Sequence, residues 1–313
     1  VRGAEAGRER KVTSTVALLI LVTSIQQADP LPEMLIQASD SLEQGLYPEA
    51  VALYEDAIEL VLYGDDRERA PGPLLARLRL GLAEGLRAMR NNDDALRVTE
   101  DIFDSDPGPE TLDRALEIRY EIGLSYLSGA TRRLLGLEVN AERKGLKVLT
   151  DLVQRYPFQP FSDDAIFHCG NWYLRNNLPE DAERYFERLI REYPESSWSS
   201  ATQILAGDAV LAQIKGVEYD MGPLAIAERH YRRYLRLFPD HGESQRARNA
   251  LEQIDLMRAQ RRLLIAQFYI RLEKHHSARI YLEKIILTVP ASDTAAEAAR
   301  LLDSLPAVPD EED

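Results

Sequence analysis

The feature that most constrains this chain is an internal repeat with a period of about 34 residues, because a recurring helix pair of that length cannot bury its faces alone and has to stack. The plainest copy is 163–196, DDAIFHCGNWYLRNNLPEDAERYFERLIREYPES. A first helix there carries Gly170 and Tyr173, the turn is Asn176-Asn177-Leu178-Pro179, and a second helix carries Ala182, Phe186 and Leu189 before Pro194. Gly170 and Ala182 are small enough to let the two helices approach closely. Phe186, Leu189, Ile190 and Tyr193 recur with Ala182 at helical spacing as one apolar stripe. Pro194 lacks an amide hydrogen and ends the second helix.

The same positions recur elsewhere. Ala50, Tyr54 and Ala57 follow the turn at Gly45–Pro48, and Ala83, Leu86, Ala95, Ile102 and Pro107 flank the turn at 91–94. Ala266, Tyr269, Ala278, Leu282, Ile285 and Pro290 form a regular copy near the C-terminus. Two further copies fit only with an insertion between their helices, at 128–137 and at 216–223. Six pairs result, enough for a stable stack. The stretch 242–272 has no Pro and no Gly after its start, which predicts one helix of about eight turns.

The positions match the tetratricopeptide pattern, so the fold class is read as all-α, a tetratricopeptide-repeat superhelix (α-solenoid) of about six helix pairs. Residues 31–303 are assigned to this repeat domain, 1–30 to a signal-peptide-like segment and 304–313 to an acidic disordered tail. The first segment has Arg2, Arg8, Arg10 and Lys11 ahead of the apolar run at 16–22, with Ser24 placed for cleavage, so export and a mature start near residue 25 are expected. That run is shorter than the ~20 apolar residues that span a bilayer.

Charge narrows the partners. With 52 acidic against 38 basic residues the net charge is -14, which argues against the broad cationic surface that phosphate backbones require, so nucleic acid is not expected. Arg outnumbers Lys, and its rigid fork suits paired carboxylates at protein interfaces.

No enzyme is expected, and no cofactor or metal. Cys169 stands where the pattern calls for a buried apolar residue, without a His and Asp constellation, and reads as a small core hydrophobe. The pair His275-His276 reads as part of a solvated turn. A clamp for C-terminal carboxylates needs cationic residues where Leu80, Glu84, Phe167 and Asn171 stand, which disfavours a chaperone-tail adaptor.

From 163 to 302 the chain resembles the BamD (YfiO) family of outer-membrane protein assembly factors. The resemblance rests on the AERYFERLIREYPES style of repeat, the loop inserted at 216–223, and the uninterrupted helix leading into Ile265-Ala-Gln-Phe-Tyr-Ile-Arg271. It implies a nonenzymatic periplasmic scaffold at the outer membrane, whose partners are a barrel-assembly subunit or extended peptides. No cysteine stands near residue 25 to accept a lipid, so either anchoring is lost, the start is misassigned, or the protein is soluble in the periplasm, with peripheral membrane association through partners as one outcome. The other reading of the repeats is a soluble periplasmic adaptor in cell-envelope or cell-division coordination.

First helices of each repeat line the concave face in this architecture, which makes Asn171, Tyr173, Arg175 and Asn177 protein-binding candidates. Arg258, Arg261 and Arg262 are candidates because the corresponding helix in the resembled family contributes basic contacts to its partner. The long helix is expected to spend Leu251, Ile254, Leu264, Ile265 and Phe268 on neighbouring repeats, leaving these arginines for solvent or a partner.

Overall fold

A computed structural model describes residues 30–63, 72–134 and 137–306. Residues 1–29 of the signal-like segment lie outside them, as do residues 307–313 of the acidic tail. Among the described residues no helix is long and apolar enough to cross a membrane.

The chain divides into two compact units, one ending at Ile122 and one beginning at Gly123. The first holds α1 (Leu31–Glu43), α2 (Tyr47–Tyr63), α3 (Gly72–Ala88), α4 (Asn92–Phe103) and the greater part of α5 (Pro109–Leu127). Each helix from α1 to α4 packs on the next, and α1 also touches α3. The pattern residues Ala50, Tyr54, Ala57, Ala83, Leu86, Ala95 and Ile102 are all buried. Polar ties hold the helices together: within one pair Arg79 of α3 donates to the Asp101 carbonyl of α4 at 2.7 Å, and Arg114 of α5 meets Glu84 of the preceding pair at 2.8 Å.

The second unit continues from the end of α5 through β1 (Thr131–Leu134) and β2 (Leu137–Asn140) to α6 (Glu142–Arg155), α7 (Ser162–Arg175) and α8 (Pro179–Glu192). It is completed by α9 (Ser199–Ala212), α10 (Pro223–Leu237), α11 (Ser244–Arg271), α12 (His275–Thr288) and α13 (Asp293–Ser304). The first insertion is therefore not a plain loop. It forms an antiparallel hairpin in which Thr131 pairs with Asn140 and Arg132 with Val139. The second, between α9 and α10, stays irregular.

The turns inside the repeats share one backbone device. Gly45, Arg90, Gly129, Asn177 and Glu273 all have positive φ, between 55° and 101°, at the residue just past the first helix of a pair. In each case the next amide reaches back to a carbonyl five residues earlier, as in Leu178 to Tyr173 and Lys274 to Tyr269, both at 3.0 Å. That closure satisfies the last carbonyls of the helix and reverses the chain in three residues. The pair α9 and α10 lacks it: no residue between the two has positive φ, and the chain runs on from α9 into the irregular insertion.

Close approach in the second unit is set by glycines against large side chains. A Cβ placed on Gly170 would lie 2.7 Å from the Phe186 ring, one on Gly207 2.7 Å from Tyr231, and one on Gly123 2.7 Å from Leu149. The predicted long helix is present as α11, with 28 residues against 15 in α10 and 14 in α12. It serves two cores in succession. Ala247 and Ile254 pack with Leu224, Ala227, Tyr231 and Tyr234, while Ala259 and Ala266 pack with Ala278, Leu282 and Ile285.

One expectation fails here. Leu264 and Phe268 are not spent on neighbouring repeats but are 41% and 49% exposed. At ~100° per residue each lies two positions, or about 200°, from Ala266, which takes the buried face.

Candidate functional site

The most organised polar surface runs along α7. Its first turn carries Asp163 and Asp164, where the helix dipole favours negative charge. Ser196 donates to Asp163 at 2.6 Å, and the Trp198 indole N–H donates to Asp164 at 2.8 Å. The segment after α8 is thereby folded back over the start of α7. Trp198 also stacks on Phe167, with centroids 3.8 Å apart and the rings 13° from parallel. His168 Nε2 lies 3.7 Å from the Asp164 carboxylate.

Asp164, His168, Asn171 and Arg175 follow one another at intervals of four, three and four residues, so they share one face of the helix. Their side chains are half-buried to exposed. At the far end, Trp172 donates its indole N–H to Glu142 of α6 at 3.0 Å. The Glu142 carboxyl is held below its usual range by hydrogen bonds from Asn140 and Trp172, with the Arg175 charge adding to the effect. The strip thus carries an acid at one end, a cation at the other, and an amide between them that both donates and accepts. Such a row can hydrogen-bond the backbone and polar side chains of an extended segment laid along the helix.

The structure separates the residues expected on this surface. Asn171 and Arg175 lie on the strip. Tyr173 turns toward α8, its ring 5.2 Å from Tyr185, where burial raises both phenols. Asn177 occupies the positive-φ turn position, at φ 57°. Asp164 and His168 were missed from sequence, although their helical spacing with Asn171 and Arg175 was readable.

The arginine row makes contacts within the fold while staying partly exposed. Arg258 pairs with Glu228 of α10 at 2.6 Å and lies 3.6 Å from Asp255. Arg261 donates to the carbonyls of Val217 and Glu218, at 3.2 and 2.9 Å, and so pins the second insertion against α11. Arg262 is half-buried, its Nη1 without a hydrogen-bond partner among the described residues. Glu228 is held below its usual range, chiefly by the Arg258 hydrogen bond.

Cys169, on the opposite side of α7 from the strip, is fully buried, and burial pushes its thiol up to about 12. A thiol so protonated is inert as a nucleophile.

No curated protein matches this sequence. Among solved structures, a tetratricopeptide repeat protein from Parabacteroides merdae is 13% identical, with 88% of this chain and 99% of that one covered at a TM-score of 0.37. The TPR-like repeats of a putative kinesin light chain from Podosopora anserina are 16% identical, covering 75% and 98% at 0.37. The yeast Sti1 TPR2AB domain is 12% identical, covering 89% and 84% at 0.32. The profile of the YfiO family, described as outer membrane lipoprotein, matches residues 132–304. The match begins inside the hairpin, ahead of the 163 boundary drawn from sequence, and takes in every helix from α6 to α13. It spans more than half of the 313 residues, and the chain belongs to the YfiO family of outer membrane lipoproteins.

Proposed function

We propose that this protein is a nonenzymatic scaffold of the BamD type at the periplasmic face of the outer membrane, where it helps assemble β-barrel proteins by holding a barrel-assembly subunit or an extended peptide. The observation that carries the reading is the strip Asp164, His168, Asn171 and Arg175 on α7, inside the family-matched span. Its carboxylate end is fixed by Trp198 and its cationic end borders Glu142, so the strip is held in place before a partner arrives. Preorganised polar groups lose little entropy on binding and select their partner by geometry.

The arginines of α11 support the scaffold from within, Arg258 by tying α10 to α11 and Arg261 by fixing the inserted loop. With those arginines engaged inside the fold, the α7 strip is the surface on which the reading rests.

The test is capture from envelope membranes by the purified chain, with identification of the co-purifying proteins. A barrel-assembly subunit or unfolded barrel precursors should be retained by the native chain and reduced about tenfold or more by His168→Ala, Asn171→Ala and Arg175→Ala combined, a loss of about 1.4 kcal/mol. Retention unchanged by the triple substitution would exclude the α7 strip, and absence of any barrel-assembly protein from the native capture would exclude the function.

A further inference from the structure

The C-terminal half of α11 carries an apolar row that the repeat stack does not cover. Leu264, Phe268 and Leu272 follow at intervals of four residues, 41%, 49% and 49% exposed. Arg261 and Arg271 share this face with Gln253 and Gln260, and no carboxylate of α11 lies among them. At its upstream end the row meets the inserted loop, because Arg261 holds the carbonyls of Val217 and Glu218. Tyr219, the next loop residue, is 57% exposed. The loop thus places an exposed aromatic one residue beyond the carbonyls that Arg261 holds, at the upstream end of the row Leu264, Phe268 and Leu272.

Its two ends differ in charge. Exposed Glu218 and Asp220 flank Tyr219, the latter using one oxygen to accept the Gly222 amide at 2.8 Å. At the other end Arg271 is exposed in the last turn of α11 and enters no ion pair among the described residues. Between the level of Arg261 and that of Arg271 the helix rises about 15 Å.

A surface that is apolar in the middle, acidic at one end and cationic at the other complements itself when turned end for end. We propose that this face is where a second copy of the chain docks, the two α11 helices running antiparallel about a twofold axis near the level of Ala266. Each Arg271 then meets the Glu218 and Asp220 loop of the other copy, while Leu264 and Phe268 of both copies fill the centre. Two-fold contacts of this kind require a self-complementary patch, which this one is. A head-to-head parallel arrangement would oppose like charges. A row on one helix and one loop buries less than the ~800 Å² per partner of a standard interface, so the dimer is weak and concentration-dependent. This surface is separate from the α7 strip, and its test does not depend on the scaffold reading.

Sedimentation equilibrium or light scattering of the native chain at physiological salt, across about two decades of micromolar concentration, is the measurement. Salt at that strength screens the net charge of the two copies beyond ~8 Å and leaves contacting pairs intact. The mass should rise from the monomer's 35.4 kDa toward twice that value. Leu264→Asp with Phe268→Asp should return it to monomer with an unchanged helical spectrum and melting curve, since both residues are exposed. Arg271→Glu alone should weaken association at least tenfold, and combining it with Glu218→Arg and Asp220→Arg should restore association. A native chain that stays monomeric throughout, or a dimer that survives the double aspartate variant, overturns the proposal. Failure of the charge swap to restore a dimer lost in Arg271→Glu overturns the antiparallel pairing.

Discussion

Replacing Gly170 by Ala sets two known effects against each other. In a helix interior Ala is favoured over Gly by about 1 kcal/mol, so an uncrowded site would be stabilised. Here the new Cβ would lie 2.7 Å from the Phe186 ring edge and 3.0–3.1 Å from two further ring carbons. Phe186 is fully buried, with Phe167 at 6.4 Å and that ring in turn stacked on Trp198, so it has little room to withdraw. Overpacking of this kind costs about 1–3 kcal/mol, and the net expectation is a loss of about 1 kcal/mol. Of the two tryptophans of the chain, Trp172 lies within this repeat and Trp198 just after it. Their fluorescence during urea denaturation therefore reports on it locally, even if a repeat array does not unfold in one step. In a Phe186→Leu background the ring is gone, and Gly170→Ala should become stabilising by about 1 kcal/mol. The reasoning is refuted if Gly170→Ala stabilises the otherwise native chain, or if its effect keeps the same sign in both backgrounds.

Three further outcomes are expected. Asp208 accepts the hydroxyl of fully buried Tyr231 at 2.7 Å and also pairs with Arg246, so Asp208→Ala should cost about 1–3 kcal/mol in denaturation, much of it recovered by adding Tyr231→Phe. His230 is lowered to about 4, first by burial and then by Arg229 and Arg233. The folded state excludes a proton that the unfolded chain takes up below about 6.5, so stability is full above that pH and falls progressively toward pH 4, by about 2–3 kcal/mol. Melting curves between these pH values should flatten in His230→Gln. Arg258→Glu should lower stability by about 1–2 kcal/mol, discounted for its partial exposure, because it places a second carboxylate beside Glu228; an unchanged melt would show that the pair contributes nothing.

The sequence alone determined the repeat and most of the contacts between neighbours within one period. Gly170, Ala182, Phe186 and Leu189 specify a close helix pair whatever lies further along the chain, and Pro179 with Asn177 fixes the turn. The same reasoning located both insertions and the length of α11, since those depend on spacing and on the absence of Pro and Gly. Half of the α7 strip was also legible, because Asn171 and Arg175 stand about 40° apart on the helix; Tyr173, about 200° from Asn171, falls on the other side.

Tertiary structure decided what happens between repeats. Arg258 reaches a carboxylate 30 residues away and Arg261 a carbonyl 44 residues away, contacts that exist only once α10 and the inserted loop are laid against α11. No periodicity announces them, and a solvent-facing row of arginines reads the same as one consumed by such contacts. The exposure of Leu264 and Phe268 was hidden for a related reason. An apolar spacing marks a face, but α11 turns one face to the first core through Ala247 and Ile254 and another, about 120° round the helix, to the second through Ala259 and Ala266, which leaves Leu264 and Phe268 on neither. Which apolar row is buried was thus settled by where the two cores meet α11, and that is a property of several helices together.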